Sequence, residues 1–79
     1  MVTVRFWAGA RAAAGREEQA VEARTLGELL GALRGNAPLD RVLDASSLLV
    51  DGTAVRREDA AHPIPAGAVV DVLPPFAGG

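Results

Sequence analysis

Polar and apolar residues alternate from the start of the chain. Val2, Val4 and Phe6 fall on one face, and Thr3, Arg5 and Trp7 on the other. A period of two predicts a half-buried strand over residues 2–8, with Trp7 pointing away from the core. Residues 10–14 are Ala-rich and end at Gly15, which predicts one or two helical turns with a glycine stop. Residues 18–23 carry Ala20-Val21-Glu22-Ala23, a second strand and the natural hairpin partner of the first.

The period then changes. Leu26, Leu29, Leu30 and Leu33 follow one another at i, i+3, i+4 and i+7, the apolar stripe of an amphipathic helix. Thr25 and Glu28 form a capping box at its start, with the Thr25 hydroxyl on a first-turn amide and Glu28 reaching back to the Thr25 amide. Gly35-Asn36 stops the helix, and Pro38 marks the stop. Gly27 and Gly31 lie inside it and each cost up to about 1 kcal/mol relative to Ala; close packing on a sheet is the expected reason. Residues 39–45 predict a short second helix from Leu39, Val42 and Leu43. Residues 47–50 form an apolar strand, Asp51-Gly52 a tight turn, and residues 54–56 an edge strand. Gly67 turns the chain into a last strand over residues 68–73, which Pro74-Pro75 ends because neither proline donates to a ladder.

This order predicts an α+β roll of the β-grasp kind, a mixed sheet of four to five strands with one main helix packed across it. The last strand, a near-continuous Val69-Val70-Asp71-Val72-Leu73 run, is expected at the centre beside the first. Residues 1–75 form the domain and residues 76–79 a flexible Gly-Gly tail. Within the last strand Asp71 reads as the solvated member of an alternating pattern.

With 79 residues and no cysteine, a compact core must hold the fold without disulfide or thiolate metal. Hydrophobic residues at 49% make that feasible. A net charge of −2 argues against a nucleic-acid partner, since phosphate binding needs a cationic footprint. No apolar run approaches the ~20 residues of a membrane helix, and the start is unlike a signal peptide, so a soluble cytoplasmic protein is expected. The catalytic inventory is sparse. Cys, Tyr and Lys are absent, and His62 is the single histidine. A site built from several histidine ligands is impossible, and nothing in the sequence brings His62 to Ser46 or Ser47. Arg56-Arg57 and Glu17-Glu18 read as solvated charge.

The end of the chain carries the strongest pattern. A central strand leads into Pro74-Pro75, then Phe76-Ala77 and Gly78-Gly79. The prolines stiffen the exit. Residues 74–79 span about 20 Å when extended, at about 3.3 Å each. Two residues without side chains can thread a narrow channel. The Gly79 carboxylate on such a thin arm suits chemistry in another protein's active site; the same composition also describes a disordered tail.

At these residues the chain resembles the MoaD/ThiS family of sulfur carriers, ubiquitin-like proteins of β-grasp fold. The likeness spans nearly the whole length: the Val2–Ala8 strand, the Thr25-capped helix, Leu49-Val50-Asp51-Gly52, the Gly67 turn and, most specifically, Val72-Leu73-Pro74-Pro75-Phe76-Ala77-Gly78-Gly79. The Pro-Pro-x-x-Gly-Gly ending is similar to that of the small subunit of molybdopterin synthase more than to the thiamine-pathway carrier. Phe76 departs from it, being bulkier than the small aliphatic residue expected there.

The resemblance implies that Gly79 is adenylated by an ATP-using activating enzyme, converted to a thiocarboxylate by a sulfur donor protein, and inserted into the larger catalytic subunit of molybdopterin synthase. There it would deliver sulfur for the dithiolene of molybdopterin. It implies no bound cofactor, with ATP used by the activating enzyme, and no catalysis by this chain alone. It further implies docking through Trp7, Ala54, Leu73, Pro75, Phe76, Ala77 and Gly78. Alternatives are a carrier for thiamine or cysteine biosynthesis, a modifier forming isopeptide bonds through Gly79, and a plain interaction module.

Overall fold

A computed structural model describes residues 1–75; the predicted tail, residues 76–79, lies outside the described residues. The elements run β1 (Val2–Phe6), α1 (Gly9–Ala14), β2 (Glu18–Val21), α2 (Leu26–Leu33), α3 (Ala37–Ala45), β3 (Ser47–Val50), β4 (Thr53–Val55) and β5 (Val69–Leu73). The strands form one mixed sheet in the order β2-β1-β5-β3-β4. β5 lies parallel to β1 and antiparallel to β3, so the last strand is central, as its apolar run predicts. This is the β-grasp arrangement.

The inward faces of the strands supply Val2, Val4, Phe6, Val21, Leu48, Val50, Val70 and Val72 to the core. The helices close over them with Leu26, Leu29 and Leu33 from α2 and Leu39 and Leu43 from α3. α2 packs across the sheet as the Leu stripe predicts, and α3, the expected short second helix, closes the core beside it.

Local differences from the sequence reading have physical causes. β1 stops at Phe6 because Ala8 takes φ 47°, turning the chain into α1. Thr25 caps α2 as expected, accepting from the Glu28 amide at 3.2 Å. Glu28 instead accepts from the Arg24 amide at 2.9 Å, one residue before the expected partner. The chain there runs extended beside residues 63–64, with a Thr25–Pro63 bridge and a bond from the Ile64 amide to the Arg24 carbonyl. Asn36 and Pro38 do more than end α2. Asn36 caps α3 by accepting from the Leu39 amide, and Pro38 sits in the first turn, where the missing N–H costs nothing. Arg57 is not solvated charge: its guanidinium donates to the Leu43, Asp44 and Ser46 carbonyls at the end of α3. The Asp51-Gly52 turn has φ 47° and 83°, as the two-residue hairpin requires.

The two helical glycines separate in role, and neither packs on the sheet as expected. A Cβ at Gly27 would lie 3.1 Å from both the Cβ and the carbonyl oxygen of Ala60, while one at Gly31 would meet open space. The Gly27 amide also donates to that Ala60 carbonyl at 2.9 Å, so the loop cannot retreat without losing the bond. Gly31→Ala should therefore raise stability by about 1 kcal/mol, or about 4–8 °C in Tm. Gly27→Val should lower it by about 1–3 kcal/mol through overpacking. Thermal unfolding followed by circular dichroism checks both; equal effects of one sign would contradict the assignment.

Candidate functional site

The face of the sheet opposite the helices carries the outward residues of each strand. Alternation places Thr3, Arg5 and Trp7 there from β1 and its extension, and Val69, Asp71 and Leu73 from β5. Register aligns them into rows. Arg5 is opposite Asp71, Asp71 is opposite Leu49, and Leu49 is opposite Ala54. One step further along, beyond the Phe6–Val72 pair, Trp7 stands beside Leu73, which in turn pairs with Ser47. The Trp7 amide donates to the Val72 carbonyl at 3.2 Å, extending the ladder past the end of β1.

Trp7 is 40% exposed, one of two large hydrophobic residues so open among those described. Leu73 is half-buried beside it, and Pro75 is exposed where the chain leaves the sheet. Ala54 is exposed on the far edge strand, separated from β1 by β5 and β3. With strands about 4.8 Å apart and Trp7 two residues along from the row of Ala54, the two stand about 16 Å from each other. Ala54 instead lines a shallow cleft of about 330 Å³ with Ser46, Ser47, Val55, Arg56 and Glu58. The structure thus places Trp7 and Leu73 together near the exit of the chain, with Ala54 across the same face. Phe76, Ala77, Gly78 and Gly79 lie outside the described residues.

Asp71 departs from the sequence reading. It points to the outer face, yet it is only 8% exposed. Arg5 covers it, donating through Nε at 2.9 Å to Oδ1 and through Nη2 at 3.4 Å to Oδ2. The Trp7 indole N–H donates to the same Oδ1 at 2.8 Å. The Arg5 guanidinium carbon also lies 5.6 Å from the centre of the Trp7 ring, within cation–π range. Three side chains from two strands close a triangle on an otherwise apolar central strand. The sequence held one clue, a carboxylate amid valines, but the parallel register that sets it across from Arg5 is non-local.

Burial, the largest single influence, pushes the Asp71 carboxyl up. The hydrogen bonds from Arg5 and Trp7 and the Arg5 charge together outweigh it and hold the group below the ordinary carboxylate range. The folded state therefore favours the ionised form. Its contribution to stability is present above the unfolded value of about 4 and is lost as pH falls through the lower folded value. Thermal melts from pH 5 downward should show Tm falling below about pH 4, and Asp71→Asn should flatten that fall. An identical slope in the variant would remove Asp71 as a cause.

Other candidate chemistry does not assemble. The Ser46 hydroxyl is buried and donates to the Val42 carbonyl at 2.6 Å, while His62 stands 3.6 Å from Asp59 on a surface loop. Among the described residues no group of three or more His, Cys, Asp or Glu could hold a metal, and no helix is long and apolar enough to cross a membrane.

Comparison with known proteins agrees with this architecture. No curated protein is significantly similar in sequence. Subunit 1 or 2 in the complex of molybdopterin-converting factor subunits from Helicobacter pylori 26695 matches at 26% identity and TM-score 0.77, covering 99% of this chain and 97% of that one. SAMP1 of Haloferax volcanii matches at 26% identity and TM-score 0.77, over 99% of this chain and 98% of that one. A chain of the BexX/CysO complex of Amycolatopsis orientalis shares the fold at 20% identity and TM-score 0.79, with both chains fully covered. The ThiS family model matches residues 4–79, nearly the entire length. On that match, and on a sheet whose central strand ends at Pro74-Pro75, the chain belongs to the ThiS family, the ubiquitin-like sulfur carriers of MoaD/ThiS type.

Proposed function

We propose that this carrier delivers sulfur from a thiocarboxylate at Gly79, for dithiolene formation in molybdopterin. The observation that carries the reading is the family match over residues 4–79 joined to the Pro74-Pro75-Phe76-Ala77-Gly78-Gly79 ending. A carboxylate oxygen of Gly79 attacks the α-phosphorus of ATP in the activating enzyme, and pyrophosphate leaves. Hydrosulfide then attacks the acyl carbon and AMP leaves, giving a thiocarboxylate whose sulfur is the nucleophile of the next step. The adenylating enzyme, the sulfur donor and the larger synthase subunit supply the acid–base and phosphate-binding groups. The likeness to a complex of molybdopterin-converting factor subunits supports a partner of this kind.

Intact-mass analysis tests the proposal. Incubation with the adenylating enzyme of the same cell, MgATP and hydrosulfide should add the mass of one oxygen-to-sulfur exchange. The thiocarboxylated product, mixed with the larger synthase subunit and a cyclic pterin phosphate, should return to its original mass. Gain without return would leave the carrier chemistry standing and overturn the molybdopterin assignment.

The likeness to SAMP1, small archaeal modifier protein 1, favours a second reading, a modifier joined through Gly79 to lysines of other proteins. With no lysine of its own, the chain would form no side-chain-linked polymers of itself. Adducts in cells that survive denaturing purification and are absent when Gly79 is deleted would favour that reading.

The docking face is tested at Trp7. An exposed indole at the centre of an interface is a typical hot spot, where truncation costs about 2 kcal/mol or more. Trp7→Ala should raise the KM for the carrier in the adenylation assay by about 30-fold or more. The melting temperature should fall only by about 4–8 °C, since the ring lies outside the core and the stability lost is that of its bond to Asp71, about 1 kcal/mol.

A further inference from the structure

We propose that Asp71 is a positioning residue that holds the Trp7 indole in one orientation before any partner arrives, so that Trp7 and Leu73 meet the partner as a preformed anchor. This rests on the docking reading of Trp7 given above.

Without support, a half-exposed indole at the end of a strand is free to turn. Trp7 follows the last paired residue of β1 and precedes Ala8, where the backbone turns sharply at φ 47°. On such a site the ring would sample several rotamers, and binding would have to freeze them. The observed contacts remove that freedom. The indole N–H is spent on Asp71 Oδ1 at 2.8 Å, and one face of the ring is covered by the Arg5 guanidinium. Arg5 is fixed in turn by its two bonds to the same carboxylate. Asp71 cannot swing away, because its residue is 8% exposed on the central strand and its backbone pairs with both β1 and β3. One buried carboxylate thus fixes two outward side chains.

The bond to the indole helps satisfy the buried carboxylate, yet Trp7 itself is not part of the core. The bond also fixes the position of the large apolar surface next to Leu73, at the place where the chain leaves the sheet. Loss of preorganisation costs an ordering penalty on binding, about three- to tenfold in affinity for one large side chain.

The chain reports on this directly, because Trp7 is its single tryptophan and it has no tyrosine. Fluorescence anisotropy, emission maximum and acrylamide quenching therefore read the indole alone. In Asp71→Ala the anisotropy should fall, the emission should shift to the red and quenching should rise. The KM for the carrier in pyrophosphate release by the adenylating enzyme should rise about three- to tenfold with kcat unchanged. Asp71→Asn keeps an acceptor oxygen for the indole and should restore most of the anisotropy and of the KM. Should Asp71→Ala fail to fold by circular dichroism, Trp7→Phe carries the test. It removes the N–H and keeps a ring, and it should raise KM about threefold.

An unchanged anisotropy in Asp71→Ala, or a mobile indole with unchanged KM, overturns the proposal. So does an unchanged KM in Trp7→Phe. Trp7→Ala separates the two levels of the argument. If that variant loses affinity while Asp71→Ala does not, only the positioning role falls. If Trp7→Ala binds normally, the docking reading falls and takes the anchor with it.

Discussion

Deletion of Gly79 should abolish thiocarboxylation while leaving the melting temperature within about 4 °C of the parent, as changes outside the core usually cost no more than about 0.5 kcal/mol. The new terminal carboxylate, on Gly78, would fall short by about one residue, or about 3.3 Å. Misplacing a reacting group by about 1 Å can cost about 100-fold, so the shortened chain should show no mass gain on the timescale of the parent. Stability should be spared because every buried hydrophobic residue described lies between Val2 and Val72. Mass spectrometry and a thermal melt on the same sample read both halves. A parent-like mass gain would mean the terminal glycine is not the reacting group, and a Tm loss above about 5 °C would mean the last residues belong to the fold.

The second large effect is on stability. Phe6 is the largest of the fully buried side chains, 1% exposed, and it sits at the end of β1 opposite Val72. Phe6→Ala should cost about 3–5 kcal/mol, from lost transfer energy and the cavity left behind. Typical domains have about 5–15 kcal/mol in total, and one this small buries a low share of its surface. Tm should therefore fall by more than about 12 °C, and partner binding should suffer because Trp7 is the next residue along the chain. Phe6→Leu keeps most of the volume and should cost under about 1.5 kcal/mol. Denaturant unfolding of the three proteins checks the order. A drop below about 4 °C for Phe6→Ala would show that the site collapses without a cavity.

The contrast between Phe6 and Asp71 shows where reading the chain succeeds and where it stops. Phe6 was assigned to the core and Trp7 to the outer face because strand period alone decides which side a residue takes. Asp71 followed the same rule, and its facing was right. Its burial was not, because burial on an outer face depends on which side chains lie across from it. Arg57 failed for the same reason: the ends of α3 that its guanidinium meets are 11 to 14 residues away in sequence. Gly27 and Gly31 both lie inside the predicted helix, and the approach of Ala60 to the first turn tells them apart.

From its sequence alone, the chain settled what depends on neighbours within a turn or a pleat. This covers the alternation of β1, the Leu stripe of α2, the Thr25 cap, the Asp51-Gly52 turn and the Pro74-Pro75 end of β5, and with them the fold class. The tertiary structure alone decided what depends on residues 64 to 66 positions apart meeting across two parallel strands: the bonds from Arg5 and Trp7 to Asp71. Local rules follow from backbone sterics and period, which each residue carries with it. The Asp71 triangle exists only once hydrophobic burial has brought β1 and β5 side by side in one register.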